Sequence, residues 1–124
     1  MLNFAAVFIG GGIGAVLRYF TGMLFAHINI LNFPLSTFMV NIAGSFLIGF
    51  LGVFFISKPN LQPALRLMLT VGFCGGLTTF STFSAENINM LNSGKYTACL
   101  LYVFLSVSFC FLAAALGAYF ANRI

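Results

Sequence analysis

The sequence predicts an all-α integral membrane protein with four transmembrane helices in a single domain. Of its 124 residues, 61% are hydrophobic and only 5% are charged, whereas soluble domains carry about a quarter charged residues. Because a helix needs about 20 apolar residues to cross a bilayer, four crossings with short turns use the whole length. Residues 1–124 are therefore expected to form one transmembrane domain whose main partner is the lipid bilayer.

The formal net charge of +4 reflects five basic residues near the predicted span ends and one acidic residue, Glu86. This distribution is typical of membrane proteins and does not indicate a nucleic-acid partner. The three cysteines, Cys74, Cys99 and Cys110, lie in apolar segments. We expect them to be small buried hydrophobes rather than a disulfide or a metal site. No base–nucleophile set is apparent, which argues against an enzyme.

Span one is predicted over about 4–26. Gly10 and Gly14 form a small-xxx-small pair, which lets another helix approach closely. The glycine run there also fits a dinucleotide-binding pattern, but no strand precedes it, so that match is rejected. Arg18 lies two-thirds of the way along the span. It could snorkel to the interface, pair with Glu86, or line a wet vestibule that attracts an anion.

A loop is predicted over 27–33, and Pro34 then permits the start of span two, predicted over about 35–56. Ser45 and Gly49 form a second close-packing face in this span. Asn41 carries an amide at a depth where polar groups need partners. It could donate a helix–helix hydrogen bond or line a polar path.

Span three is predicted over about 64–90, which is longer than one simple crossing requires. We expect its helix to break near 75–79, at the pair Gly75-Gly76, because glycine carries the largest backbone entropy cost in a helix. The β-branched pair Thr78-Thr79 crowds the next turn. The break would divide the span into two half-helices with unpaired backbone groups at the centre.

The residues that directly follow the break are expected to form the working site. Backbone that leaves a helix at bilayer depth is tolerated only where protein buries it or water reaches it. Glu86 lies farther along, near the span end, where a structural role is favoured over that of a proton carrier. Hydroxyl and phenyl side chains alternate directly after the break, at Thr79, Phe80, Ser81, Thr82 and Phe83.

The last turn is predicted over 87–94, and Lys95 opens span four, predicted over about 96–120. Tyr102, Ser106 and Cys110 repeat every fourth residue and form one mildly polar stripe. Serine hydroxyls that bond back to their own helix explain most such stripes. We therefore expect this stripe to be structural.

The charge pattern gives only a weak orientation signal. Four spans place both termini on one side of the membrane, and the basic residues divide three against two. Orientation normally follows a clear excess of basic residues, so this chain could insert both ways. We expect an obligate antiparallel dimer. A monovalent cation at its axis could satisfy the carbonyls freed by two breaks. In the count of basic residues, one side of the membrane would hold Lys58, Arg66 and Arg123, and the other side Lys95 and Arg18.

Three stretches, 10–19, 40–46 and 72–83, resemble the Fluc-type (CrcB) fluoride channel family. The resemblance covers nearly the whole chain, although span four matches only in general character. The third stretch is long and unusual in composition and is the most specific of the three. It reads Gly72-Phe73-Cys74-Gly75-Gly76-Leu77-Thr78-Thr79-Phe80-Ser81-Thr82-Phe83.

The resemblance implies an antiparallel homodimer with two parallel fluoride pores and a buried structural sodium ion. The sodium would be held by the main-chain carbonyls of Gly75 and Thr78. The implied role is passive export of fluoride through a bacterial inner membrane, which relieves fluoride toxicity. The positions that match the family's pore-lining residues are Asn41, Phe80, Phe83, Ser81 and Thr82.

The side-chain chemistry agrees with that role. Fluoride is small and tightly hydrated, so a selective path has to replace its water with hydrogen-bond donors. Phenyl rings can also present their positive edges to an anion, as we expect of Phe80 and Phe83. Neutral donors suit conduction better than a full positive charge, which would hold the ion too tightly. Amide and hydroxyl donors are available at Asn41, Thr79, Ser81 and Thr82.

A small dual-topology multidrug or proton-coupled exporter is the alternative function. Drug export driven by protons requires a carboxylate in the membrane, typically in span one, and span one has none. A membrane scaffold would leave the interrupted third span unexplained. Proton-coupled fluoride antiport conflicts with the scarcity of titratable groups at depth.

Overall fold

The computed structural model describes residues 1–28 and 33–124, so positions 29–32 of the predicted 27–33 loop lie outside the described residues. Within the described ranges, four helical segments are long and apolar enough to cross a membrane. Their ends lie within two residues of the predicted ends, which confirms an all-α protein with four spans. These segments are Leu2–Phe25, Leu35–Ser57, Pro63–Asn92 and Tyr96–Ala121.

The third span is the one that departs from a regular helix. It contains a short α-helix, a π-helical segment, a single α-helical turn and, after two extended residues, a longer helix. In chain order the elements are α1 (Leu2–Phe25), α2 (Leu35–Ser57), α3 (Pro63–Leu67), the π-helical segment (Met68–Cys74), α4 (Gly75–Leu77), α5 (Phe80–Asn92) and α6 (Tyr96–Ala121).

The break lies at Thr78 and Thr79, within the predicted 75–79, but the expectation that the pair Gly75-Gly76 would cause it was wrong, because both glycines are helical. Gly75 is helical, with φ −66° and ψ −35°, whereas Thr78 has φ −82° and ψ 155° and Thr79 has φ −152° and ψ 118°. The β-branched residues adopt the extended backbone that suits them. Glycine is required at position 76 for another reason, because a Cβ there would overlap the carbonyl oxygen of Gly11.

Helix α1 packs along the first half of the third span with backbone against backbone. A Cβ at Gly14 would overlap the carbonyl oxygen of Phe73 and lie 2.7 Å from the nitrogen of Leu77. A Cβ at Gly10 would overlap the carbonyl oxygen of Met68. The predicted close-packing face of α1 is therefore confirmed, and it places the broken span directly against the first helix.

Helices α2 and α6 form a second extensive helix pair. A Cβ at Gly49 would overlap the carbonyl oxygen of Ala114, and a Cβ at Gly117 would overlap that of Phe46. The predicted close-packing role of Gly49 is confirmed. The two helix pairs, α1 with the third span and α2 with α6, hold the break between them.

Helix α5 continues to Asn92, so the last turn is shorter than the predicted 87–94. Gly94 adopts φ 73°, a conformation that glycine reaches without strain. The amide of Lys95 donates to the carbonyl of Met90 at 2.9 Å. Tyr102 is fully buried beneath this end of the molecule, in a cluster with Met90 and Cys99.

We predict that Gly14→Ala destabilises the protein by about 1–3 kcal/mol, because the added methyl group overpacks a backbone contact that cannot yield. The measurement is the free energy of unfolding in sodium dodecyl sulfate, followed by loss of helical signal. Gly12→Ala is the matched control, since a Cβ at Gly12 meets nothing within 4 Å. Equal losses in the two variants would contradict the proposed close contact.

Candidate functional site

The side-chain amide of Asn41 pairs with the backbone at the break. Its Oδ1 accepts from the amide of Thr79 at 2.8 Å, and its Nδ2 donates to the carbonyl of Thr79 at 3.2 Å. One residue of extended backbone is thus paired on both of its polar groups by a side chain from another helix. Because Nδ2 carries two N–H groups, the second remains for another acceptor.

Thr79 also restarts the helix after the break. Its Oγ1 accepts from the amide of Thr82 at 3.1 Å, which is the capping bond at the start of α5. The same hydroxyl donates to that of Thr82 at 3.0 Å and lies 3.2 Å from that of Ser81. Three predicted pore hydroxyls therefore form one cluster, although Ser81 and Thr82 are themselves exposed.

Two backbone carbonyls at the break are left without the amide that would donate to them in a helix, because each of those amides donates to a side chain instead. In an α-helix the carbonyl of Gly75 would accept from the amide of Thr79, which donates to Asn41 instead. The carbonyl of Thr78 would accept from the amide of Thr82, which donates to the Thr79 hydroxyl instead. These are the two carbonyls predicted to hold sodium. Carbonyl oxygens freed from a helix are a suitable donor set for a hard cation.

The first of two cavities at the break is an open groove of about 460 Å³ between α2, the third span and α6. Asn41, Thr79, Phe80 and Phe83 line it together, as do Gly75 and Thr78. None of its lining residues is charged. The structure thus brings most of the predicted pore and sodium residues to one neutral groove, whereas Ser81 and Thr82 do not line it.

Phe80 and Phe83 face each other across one helical turn, with ring centroids 5.6 Å apart. Phe83 is half-buried and contacts Tyr102, whose ring centroid is 5.0 Å away. Phe80 is 79% exposed in the single chain. One of the two rings is therefore held firmly in place, while the other lies at the open edge of the groove.

Arg18 lines the second cavity, of about 510 Å³, which lies between α1, α2 and α5. Thr79 and Thr82 line this cavity as well, so Thr79 contributes to both. Glu86 lies on the same wall, but its carboxylate is engaged by other residues. This location agrees with the vestibule alternative for Arg18.

The carboxylate of Glu86 joins three helices. Its Oε1 accepts from the hydroxyl of Thr37 at 2.7 Å, and its Oε2 accepts from the hydroxyl of Tyr102 at 2.7 Å. The structural role predicted for Glu86 is consistent with these bonds. Sequence reasoning missed Thr37 as a partner and placed Tyr102 only in a stripe, since no local spacing links residues on different helices.

Ser106 contradicts the expectation that the serine hydroxyl in the stripe of Tyr102, Ser106 and Cys110 bonds back to its own helix. Its Oγ is buried and has no hydrogen-bond partner among the described residues, so it does not bond back to α6. The residue lines the neutral groove together with Cys110. A buried hydroxyl without a partner retains its full capacity to donate.

The family of this chain follows from comparison with known proteins. A family model described as CrcB-like protein, Camphor Resistance (CrcB), matches residues 5–118. The chain belongs to the CrcB family. The resemblance seen in the three sequence stretches is thereby confirmed, and the interrupted third span lies well inside the matched region.

Curated CrcB relatives match from end to end. A protein of Hydrogenobaculum sp. is 42% identical over 99% of this chain and 100% of its own length. One from Gloeothece citriformis is 45% identical over 99% of both chains, and one from Ignicoccus hospitalis is 43% identical over 95% of this chain and 94% of its own. Each is named fluoride-specific ion channel FluC.

We predict that Asn41→Ala destabilises the break by about 1–3 kcal/mol, because it leaves the amide and carbonyl of Thr79 unpaired in a buried setting. Amide hydrogen exchange at Thr79, followed by mass spectrometry of peptides, should become faster by a matching factor. Ser45→Ala is the control, since Ser45 lines the same groove one turn along α2. Unchanged exchange in Asn41→Ala would show that the pairing does not hold the break.

Proposed function

We propose that this CrcB-family chain is a fluoride-selective channel through which fluoride leaves the cytoplasm passively, across a bacterial inner membrane, so that fluoride toxicity is relieved. The observation that carries the proposal is the uncharged groove at the break, in a chain matched end to end by proteins named fluoride-specific ion channels. It is a multi-pass membrane channel and not an enzyme.

Selectivity would come from replacing the hydration shell of fluoride with neutral donors. The free N–H of Asn41 and the unpartnered hydroxyl of Ser106 border the groove, as does Thr79, whose hydroxyl donates to Thr82 in the single chain. Neutral donors compensate a tightly hydrated anion without holding it as a full charge would. The rings of Phe80 and Phe83 can add C–H edges, which carry the positive part of the aromatic quadrupole.

Arg18 would act before the narrow part of the path. A guanidinium in a wide cavity raises the local concentration of anions without binding any one of them closely. Thr79 borders both this cavity and the neutral groove. The hydroxyls of Ser81 and Thr82, which cluster on Thr79, would bridge the two environments.

An antiparallel homodimer would complete the path. Phe80 is 79% exposed in the single chain, and the space beside Gly75 is open, since a Cβ there meets nothing within 4 Å. Backbone that is opened at mid-membrane cannot face lipid, because lipid offers no hydrogen bonds. A second copy in inverted orientation would enclose both the break and Phe80.

A structural sodium ion would fit between the two copies. The carbonyls of Gly75 and Thr78 lack their helical donors, and both residues line the open groove. The donors of one chain are too few to surround a cation, so carbonyls from an inverted second copy would complete the set. A cation there would satisfy the acceptors and join the two subunits.

An exporter is not favoured by the described residues. Drug export coupled to protons needs an accessible carboxylate, and the carboxylate of Glu86 already accepts two hydrogen bonds from Thr37 and Tyr102. The charged residue on α1 is Arg18, which would repel cationic drugs.

The test of this function is efflux from proteoliposomes loaded with fluoride or with chloride. Fluoride should leave down its gradient within the recording time of a fluoride electrode, while chloride is retained. The same assay applied to Phe80→Ile and Phe83→Ile should show fluoride flux reduced by about tenfold, the factor that about 1.4 kcal/mol of lost stabilisation gives.

Phe104→Ile is the control for the ring variants, since Phe104 is 68% exposed on α6. It should conduct like the wild type. Equal release of fluoride and chloride by the wild type would refute the proposed selectivity. Normal flux in both ring variants would reduce Phe80 and Phe83 to packing residues.

We predict that the purified protein is a dimer and that replacing sodium with N-methylglucamine lowers its thermal unfolding midpoint, because the carbonyls at the break then lack a cation. Light scattering in detergent gives the mass, and circular dichroism gives the midpoint. Orientation is read from a cysteine introduced at exposed Ser93 in a chain whose natural cysteines are replaced.

An antiparallel dimer should give half labelling by an impermeant thiol reagent outside vesicles and full labelling after permeabilisation. A monomer in detergent, or uniform labelling from one side, would contradict the inverted dimer. A midpoint that is independent of the cation would remove sodium from the proposal.

A further inference from the structure

A cavity away from the helix break lies at the turn between the second and third spans. It measures about 310 Å³ and is bordered by the end of α2, the connecting turn and α3. Its residues lie outside both cavities that meet at Thr79. Fluoride conduction gives this cavity no role.

Two cations border this cavity. Lys58 follows the last residue of α2, and Arg66 lies in the last turn of α3. Both are exposed, and no acidic residue lines the cavity. The ammonium of Lys58 lies 5.8 Å from the ring centroid of Phe54, which restricts where this charge points.

The remaining wall is apolar. Phe55 is buried at 4% exposure, Leu61 is half-buried, and Ile56 is 72% exposed towards the surroundings. The cavity therefore combines a guanidinium and an ammonium at one edge with hydrocarbon at the other. Arginine binds phosphate through two parallel hydrogen bonds, and lysine adds a point charge.

We propose that this cavity binds the headgroup of an anionic phospholipid, with its phosphodiester between Lys58 and Arg66 and an acyl chain against Ile56. The position along the chain supports this ligand, because α2 ends at Ser57 and the third span begins at Pro63. Span ends lie at the depth of the headgroups, where basic pockets between helices bind acidic lipids. A free phosphate would match the two charges but would leave the apolar wall uncovered.

The chain offers a clean reporter for this proposal because it contains no tryptophan. Ile56→Trp places a single fluorophore at the exposed rim of the cavity. Its quenching by brominated phosphatidylglycerol and by brominated phosphatidylcholine, in bilayers containing the full chain, gives the relative binding constant of the two lipids. We expect a preference for phosphatidylglycerol of roughly 25-fold at low salt, about fivefold for each basic residue.

Lys58→Gln with Arg66→Gln in the reporter chain should abolish the preference. Arg123→Gln is the control, because it removes a charge on the same predicted side but does not line the cavity. A second reporter, Leu100→Trp, is 72% exposed on α6 and should show no preference. Raising the salt concentration should weaken the preference without any mutation, which tests the proposal even if the double variant fails to fold.

Equal quenching by the two lipids at Ile56→Trp would overturn the proposal. A preference that survives the loss of both charges, or one that is equally strong at Leu100→Trp, would also overturn it. Millimolar inorganic phosphate should not displace the lipid when compared with chloride at matched ionic strength. Displacement would assign the site to free phosphate and so overturn the lipid assignment. None of these readouts depends on fluoride transport.

Discussion

The pairing of the Asn41 side chain with the backbone of Thr79 is the interaction on which the site depends. A polar backbone group left unpaired in hydrocarbon costs several kcal/mol, so a helix cannot open at mid-membrane without a substitute partner. The amide of Asn41 both donates and accepts, which matches the one carbonyl and one amide of an extended residue. With that residue held, the Thr79 hydroxyl can cap the helix that follows.

Opening the helix in this way leaves a charged side chain in one cavity and only uncharged polar groups in the other. The cavity on one side of Thr79 contains Arg18, and the groove on its other side has no charged lining residue. An anion would meet the guanidinium of Arg18 in the wide cavity. In the groove it would meet only hydroxyl groups, an amide group and the edges of aromatic rings. The carbonyls of Gly75 and Thr78, released by the same rearrangement, are the groups through which the proposed inverted copy and its cation would complete the structure.

Much of the fold was predictable because its signals are local. Four apolar runs, Pro34 at a helix start, and Gly10 with Gly14 at helical spacing each act within a few residues, and all agree with the structure. The residue types near the break were also sufficient to predict that polar side chains gather around it. The glycine propensity argument was less successful, since Gly75 remains helical and Gly76 serves a close approach to α1. Propensity is a weak prior when packing against another helix decides the conformation.

The sequence by itself therefore determined a four-span membrane protein with an interrupted third span and a neutral polar motif, because hydropathy and residue type are properties of short segments. Only the tertiary structure decided that the helix opens at Thr78 and Thr79, where Asn41 supplies partners from 38 residues away. It alone joined Glu86 to Thr37, 49 residues distant, and to Tyr102, and it left the Ser106 hydroxyl without a partner in the groove. Hydrogen bonds between helices depend on how the helices pack, and no spacing within one span specifies that packing.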